Sequence, residues 1–171
     1  MVLTLAWAIS LLVRHQPDAR PSRSLVFLVP TGEESMLLGS SFYTASSHPV
    51  VPTNATVAAV NFDIGNAFGA TEDVVILGSE KSELGKVFSQ QGAVQNLTLS
   101  PDPAPTQGFF FRSDHFSFAK QGVPAVWVYI GVKFVGQDAD YYDRVVQQGY
   151  FSQHYHQVCV AFDRRTCILF C

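Results

Sequence analysis

The chain has 171 residues, 47% of them hydrophobic and 15% charged, with a formal net charge of -3. That length and apolar content suit one domain with a sizeable core and exclude a disordered chain. No Lys/Arg-rich run provides an electrostatic footprint for nucleic acid or anionic lipid, so neither nucleic acid nor a membrane is expected as partner, and a small molecule or peptide is.

Val2 to Val13 is apolar, lacks the flanks of a signal peptide and is too short to span a bilayer. Its polar residues Thr4, Ser10 and Arg14 fall within an arc of about 120° on a helical wheel, which predicts an amphipathic helix packed into the core. A polar turn with two prolines follows. Ser24 to Pro30, "SLVFLVP", is then continuously apolar over a strand's length, the pattern of a strand buried on both faces.

Ser35 to about Ser46 reads as a helix ended by "SSHPVVPTN". "ATVAAVNFD" and "EDVVILGS" read as buried strands, Ser82 to Gln91 as a helix and "PDPAPTQG" as a loop. Ser113 or Asp114 is positioned to cap a short helix running through Lys120, which Gly122 closes, and "PAVWVYIG" is a further strand. Gly131 to Tyr155 is polar and Tyr-rich, with a helix over "YYDRVVQQG". Strands alternating with helices predict an α/β fold: a mostly parallel central sheet flanked by helices, within one domain spanning 1–171.

Ligands of open α/β sheets bind beyond the carboxyl ends of the strands, where this sequence places Glu33, Glu34, Asp63, His154 and His156. A hydrolytic zinc site takes carboxylate and imidazole ligands and keeps one position open for water, while a separate carboxylate removes that water's proton. Adjacent residues on an irregular turn point apart, so Glu33 and Glu34 can divide those tasks. The plainer alternatives stand beside this one: two acids favourable to a helix dipole, a turn aspartate, and surface histidines. The contiguous Ser113, Asp114 and His115 do not make a triad, because triad members are seldom sequence neighbours; a helix cap or support for a ligand fits better. Cys159, Cys167 and Cys171 lack the paired spacing of a zinc clip or disulfide framework. Asn54-Ala-Thr56 and Asn96-Leu-Thr98 are glycosylation sequons that matter only in a eukaryotic secreted protein.

Four strings in this order, "LVFLVPTGEESMLLGS", "VAAVNFDIG", "GFFFRSDHFSFAKQGVPA" and "YHQVCVAFD", resemble the zinc-dependent aminopeptidases that include bacterial leucyl aminopeptidase, with glutamate carboxypeptidase II and glutaminyl cyclase more distant. The resemblance runs from about Leu3 to Asp163. It implies a three-layer sandwich, two zinc ions per complete domain, Glu33 as general base, Glu34 and His156 as ligands of the first zinc and Asp63 as ligand of the second. Asp114, His115 and Tyr155 would line or support the cleft, Asp163 would orient the ligand histidine, and His154 would be a bystander. The implied reaction is attack of a zinc-bound hydroxide on the N-terminal peptide bond of a peptide or aminoacyl substrate.

The resemblance also implies a His-x-Asp motif and a further aspartate, both metal ligands, ahead of the first helix, so the peptidase domain is expected to be partial and its catalysis impaired. The tail "QVCVAFDRRTCILFC" departs from the proline, acidic residue and terminal helix that the family implies. Two other readings are a non-catalytic fragment or binding scaffold of the same fold, and a glutaminyl-cyclase-like acyl transferase. An uncovered sheet edge would favour self-association.

Overall fold

The computed structural model describes residues 2–47 and 49–157. Four strands form one sheet: β1 (Ala59–Asn61), β2 (Asp73–Leu77), β3 (Thr98–Ser100) and β4 (Ala125–Tyr129), in the order β1-β4-β2-β3. β1 pairs parallel with β4 and β2 with β3, while β2 and β4 run antiparallel. Two of the three pairings are parallel, and the fold is the expected α/β type.

The β2 and β4 strands are buried because they are apolar on both faces. Val75 and Val126 are fully enclosed, and Leu77, Trp127, Tyr129 and Ile130 join them in the core. On one side this core is closed by Phe109, Phe134, Tyr142 and Val146, the last two from a π-wound helix, Tyr142–Phe151. Helix α3 (Leu84–Val94) packs on β2 and β3, the short α4 (His115–Ala119) packs on β1 and β4, and α2 (Leu38–Ala45) packs on α4. α2 and α4 meet through small polar groups: Ser40 and Ser117 are fully buried, with their hydroxyls 2.9 Å apart. Hydroxyls let the two backbones approach while satisfying each other, which an apolar pair could not do at that separation.

Asp73, 1% exposed, opens β2 and anchors the chain leaving β4. Its carboxylate accepts hydrogen bonds from Val132 N–H at 3.0 Å and Lys133 N–H at 2.9 Å. A buried carboxylate persists only with such partners.

Two expectations fail. Ser24 to Pro30 belongs to no strand, and Leu25, Val26, Phe27 and Val29 are exposed. The apolar run reports a segment suited to a sheet interior, but a strand also needs a neighbouring backbone to bond. Here a gap of about 920 Å³ lies between this segment and the outer edge of β1, lined on its far side by Val57, Val60 and Phe62. The first helix, α1 (Val2–His15), is not a core helix either, since none of its residues is buried and Leu3 and Trp7 are largely exposed. Its pattern is amphipathic, yet among the described residues no layer covers its apolar stripe. A third difference is an addition: β3 has no counterpart among the elements the sequence predicts, because three residues are too few for a periodicity to register.

Candidate active site

The segment Thr31 to Leu38 turns back on itself, and glutamates 33 and 34 ride on that turn. Leu37 N–H bonds to Glu33 C=O at 2.8 Å, Leu38 N–H to Gly32 C=O at 3.0 Å and Gly39 N–H to Thr31 C=O at 2.8 Å. The closure forces Gly32, Met36 and Leu37 to positive φ, 64°, 64° and 58°. Glycine adopts that conformation freely; methionine and leucine do so at a cost of about 1–3 kcal/mol each, a strain found where surrounding structure fixes a functional loop. Gly39 permits the close approach: a Cβ there would stand 2.5 Å from the Thr31 carbonyl oxygen and 2.6 Å from its nitrogen. Gly39→Ala is therefore expected to push the turn away and lower stability by about 1–3 kcal/mol, with the His156 imidazole resonances shifting in NMR spectra as Glu34 moves.

Glu34 meets a histidine from the far end of the chain. Its Oε1 is 3.0 Å from His156 Nε2, and both side chains are substantially exposed. His156 follows the π-wound helix, has φ 58° and sets its ring against that of Tyr155, 4.1 Å between centroids and tilted by 54°. The helix ends in wide-turn bonds, Ser152 N–H to Gln147 C=O and Tyr155 N–H to Tyr150 C=O, which swing Tyr155 and His156 toward the glutamates. Burial raises the Tyr155 pKa, and the carboxylates of Glu34, Asp63 and Glu33 raise it further, which places its hydroxyl in their field.

Asp63, just beyond β1, accepts a hydrogen bond from Ser113 Oγ at 2.8 Å, and Ser113 accepts one from Asn61 Nδ2 at 2.7 Å. The buried Ser113 thus orients Asp63 rather than capping α4, whose amino end has no side-chain cap. Ser113 and Asn61 are the residues that sequence reasoning missed in this role, since a bond between residues 52 positions apart leaves no local signal.

The electrostatic centre is Glu33. Burial, then the charges of Asp63, Glu34 and Asp114, push its pKa up to about 7. Asp114 is raised by burial and by Asp63, against a lowering bond from Ser40. Three other carboxylates thus make the ionised Glu33 costly, and a carboxyl poised near neutrality suits proton transfer.

His115 lies away from this solvent-facing group. It is 2% exposed, edge-on to Phe110 at 4.9 Å and beside Trp127 at 5.9 Å, and burial pushes its pKa down to about 4. His154 is exposed and pairs with neither glutamate among the described contacts. Asp163 and the three cysteines lie outside the described residues.

The structure thus brings Glu34 to His156 and leaves Asp63 in a separate bond with Ser113. Among the described residues no three His, Cys, Asp or Glu side chains gather closely enough to hold a metal ion. A zinc site wants three protein ligands and an open position. The donors present, two at one place and one at another, do not fit a complete site.

No curated protein matches the chain. Among solved structures it is similar to the aminopeptidase from Aneurinibacillus sp. strain AM-1, with 18% identity and a TM-score of 0.46 over 64% of this chain and 25% of that one. The chain therefore spans about a quarter of that protein's length. The model of peptidase family M28 matches residues 2–166, which takes in the glutamate turn, Asp63, the "RSDHF" segment and His156. By that match over nearly its whole length, the chain belongs to peptidase family M28, a family of metal-dependent peptidases.

Proposed function

We propose that this chain is an aminopeptidase domain, built to hydrolyse N-terminal peptide bonds of peptide or aminoacyl substrates, whose catalysis is impaired on its own residues. The observation that carries the reading is the Glu33 carboxyl, held near a pKa of 7 by burial and by Asp63, Glu34 and Asp114. Glu33 takes a proton from the attacking water and returns it to the leaving amine. Glu34 and His156 are the side chains that would hold a metal in this reading, Asp63, Tyr155 and Asp114 border the cleft, and the acidic surroundings favour a substrate's free ammonium group.

The test is hydrolysis of leucine p-nitroanilide with zinc supplied, set against the N-acetylated anilide. Slow turnover of the free amine alone supports the reading; no turnover of either above background counts against it. That second outcome would favour a non-catalytic scaffold of the same fold, which the shortage of metal donors among the described residues also supports.

The same proposal includes self-association. Leu3, Trp7, Leu25, Val29 and Val60 expose apolar surface on α1, on the 24–30 segment and on the edge strand β1. Unpaired edges and apolar patches of this kind promote pairing between copies. Sedimentation velocity is expected to show species larger than the 18.8 kDa chain, with Val60→Lys shifting the distribution toward monomer.

A further inference from the structure

We infer that, among the described residues, the metal affinity of this chain resides in one two-donor position, Glu34 with His156, and that Asp63 takes no part in it. This rests on the ligand pairing proposed above, and it departs from the two-zinc centre that the sequence resemblance implies.

Geometry separates the two positions. Ligands each about 2.0–2.1 Å from a tetrahedral zinc stand about 3.3 Å apart. Glu34 Oε1 and His156 Nε2, at 3.0 Å, need to part by only a few tenths of an ångström to take one ion between them. Both side chains face solvent, at 72% and 47% exposure, so the ion reaches them without opening the fold. The histidine is already aimed by its left-handed backbone and by the ring of Tyr155. Glu34 and His156 are the residues that would hold such an ion, as a carboxylate oxygen and an imidazole nitrogen.

Asp63 differs in each respect. Its Oδ2 is engaged by Ser113, which is itself held by Asn61, so binding an ion would disturb a satisfied network. Nor does it join Glu34 and His156, since among the described residues no three potential ligands gather closely enough to hold an ion. Glu33 and Asp114 feel its charge, and the three form no group that could hold an ion. Two donors make a loose, exchangeable site, unlike the nanomolar or tighter affinity of complete structural zinc sites.

The experiment uses the full chain with its three cysteines changed to serine, so that thiolates do not contribute, and zinc chloride as the only probe. After chelator treatment and desalting, calorimetric titration is expected to give at most one zinc per chain with a Kd above about 1 μM, and gel filtration is expected to strip the metal. Glu34→Gln, His156→Ala and the more conservative His156→Gln should each weaken binding at least tenfold, and Asp63→Asn less than twofold, with circular dichroism confirming that each variant folds. Two zinc ions per chain surviving gel filtration would overturn the inference. So would an Asp63→Asn loss equal to that of His156→Ala. Neither result depends on turnover, so failure of the peptidase reading in the anilide assay is scored separately.

Discussion

Glu33→Gln is expected to reduce zinc-supplemented hydrolysis of leucine p-nitroanilide by between about 10²- and 10⁴-fold, the usual contribution of a positioned general base. The same substitution is expected to stabilise the fold at alkaline pH when a chelator is present. The reason is a linkage sign. Glu33 has its folded pKa raised from 4.5 to about 7. Between those values the folded chain keeps a proton that the unfolded chain releases, so stability declines as pH rises through this window. Above it, an ionised Glu33 repelled by Asp63, Glu34 and Asp114 remains a net cost. Glutamine keeps the shape and removes the charge. Urea denaturation at pH 8 and turnover by the parent and variant chains check both halves together. A variant that loses activity and stability alike would point to a structural role for Glu33, whereas lost activity with gained stability is the signature of a residue kept for chemistry.

The second large effect belongs to His115. Its folded pKa is lowered from 6.5 to about 4 by burial beneath Phe110 and Trp127. Below pH 6.5 the unfolded chain takes up a proton that the folded chain refuses, so stability falls as pH drops from about 6.5 to about 4. The full loss is about 3 kcal/mol. Carboxylates elsewhere titrate over part of the same range, so the decisive quantity is a difference between two chains. Urea midpoints measured at pH 4, 5, 6 and 7 should fall more steeply for the parent than for His115→Phe, which keeps an aromatic ring in the slot and holds no proton. Parallel curves would mean that His115 is protonated without penalty in the fold.

Much of this molecule was legible in the residues. The interior strands announced themselves by uninterrupted apolar runs, and β2 and β4 are where "DVVIL" and "AVWVY" place them. α3 lies within two to three residues of the helix read at Ser82 to Gln91, and α4 followed from the glycine that closes it. The segment 24–30 and α1 were misread for one shared reason. An apolar pattern specifies that a surface is fit for burial and carries no information about what buries it, and both segments flank the gap beside β1. The wide turns of Tyr142–Phe151 were invisible because the apolar spacing of "YYDRVVQQG" suits an ordinary helix as well as a π-wound one. At the candidate site, Glu33, Glu34 and His156 stood out as titratable groups at element ends. Ser113 and Asn61 did not, because the hydrogen bond that links β1 to the start of α4 spans 52 positions in sequence and has no local signature.

The reversal of direction between β4 and β2 has a consequence for how this scaffold can vary. Only β1 and β4 present their carboxyl ends to the acidic cleft; β2 and β3 present their amino ends there. The segments that enter these last two strands, Ala67 to Glu72 and Gln95 to Leu97, therefore lie at the cleft's end of the sheet, and the first is tied to the helix beneath Tyr155 by Tyr141 Oη–H donating to the Phe68 carbonyl. The segments that leave them, after Leu77 and after Ser100, emerge at the opposite end. Length changes at Ala67 to Glu72 are thus expected to alter the surroundings of the acidic groups more than equal changes at Ser79 to Ser82.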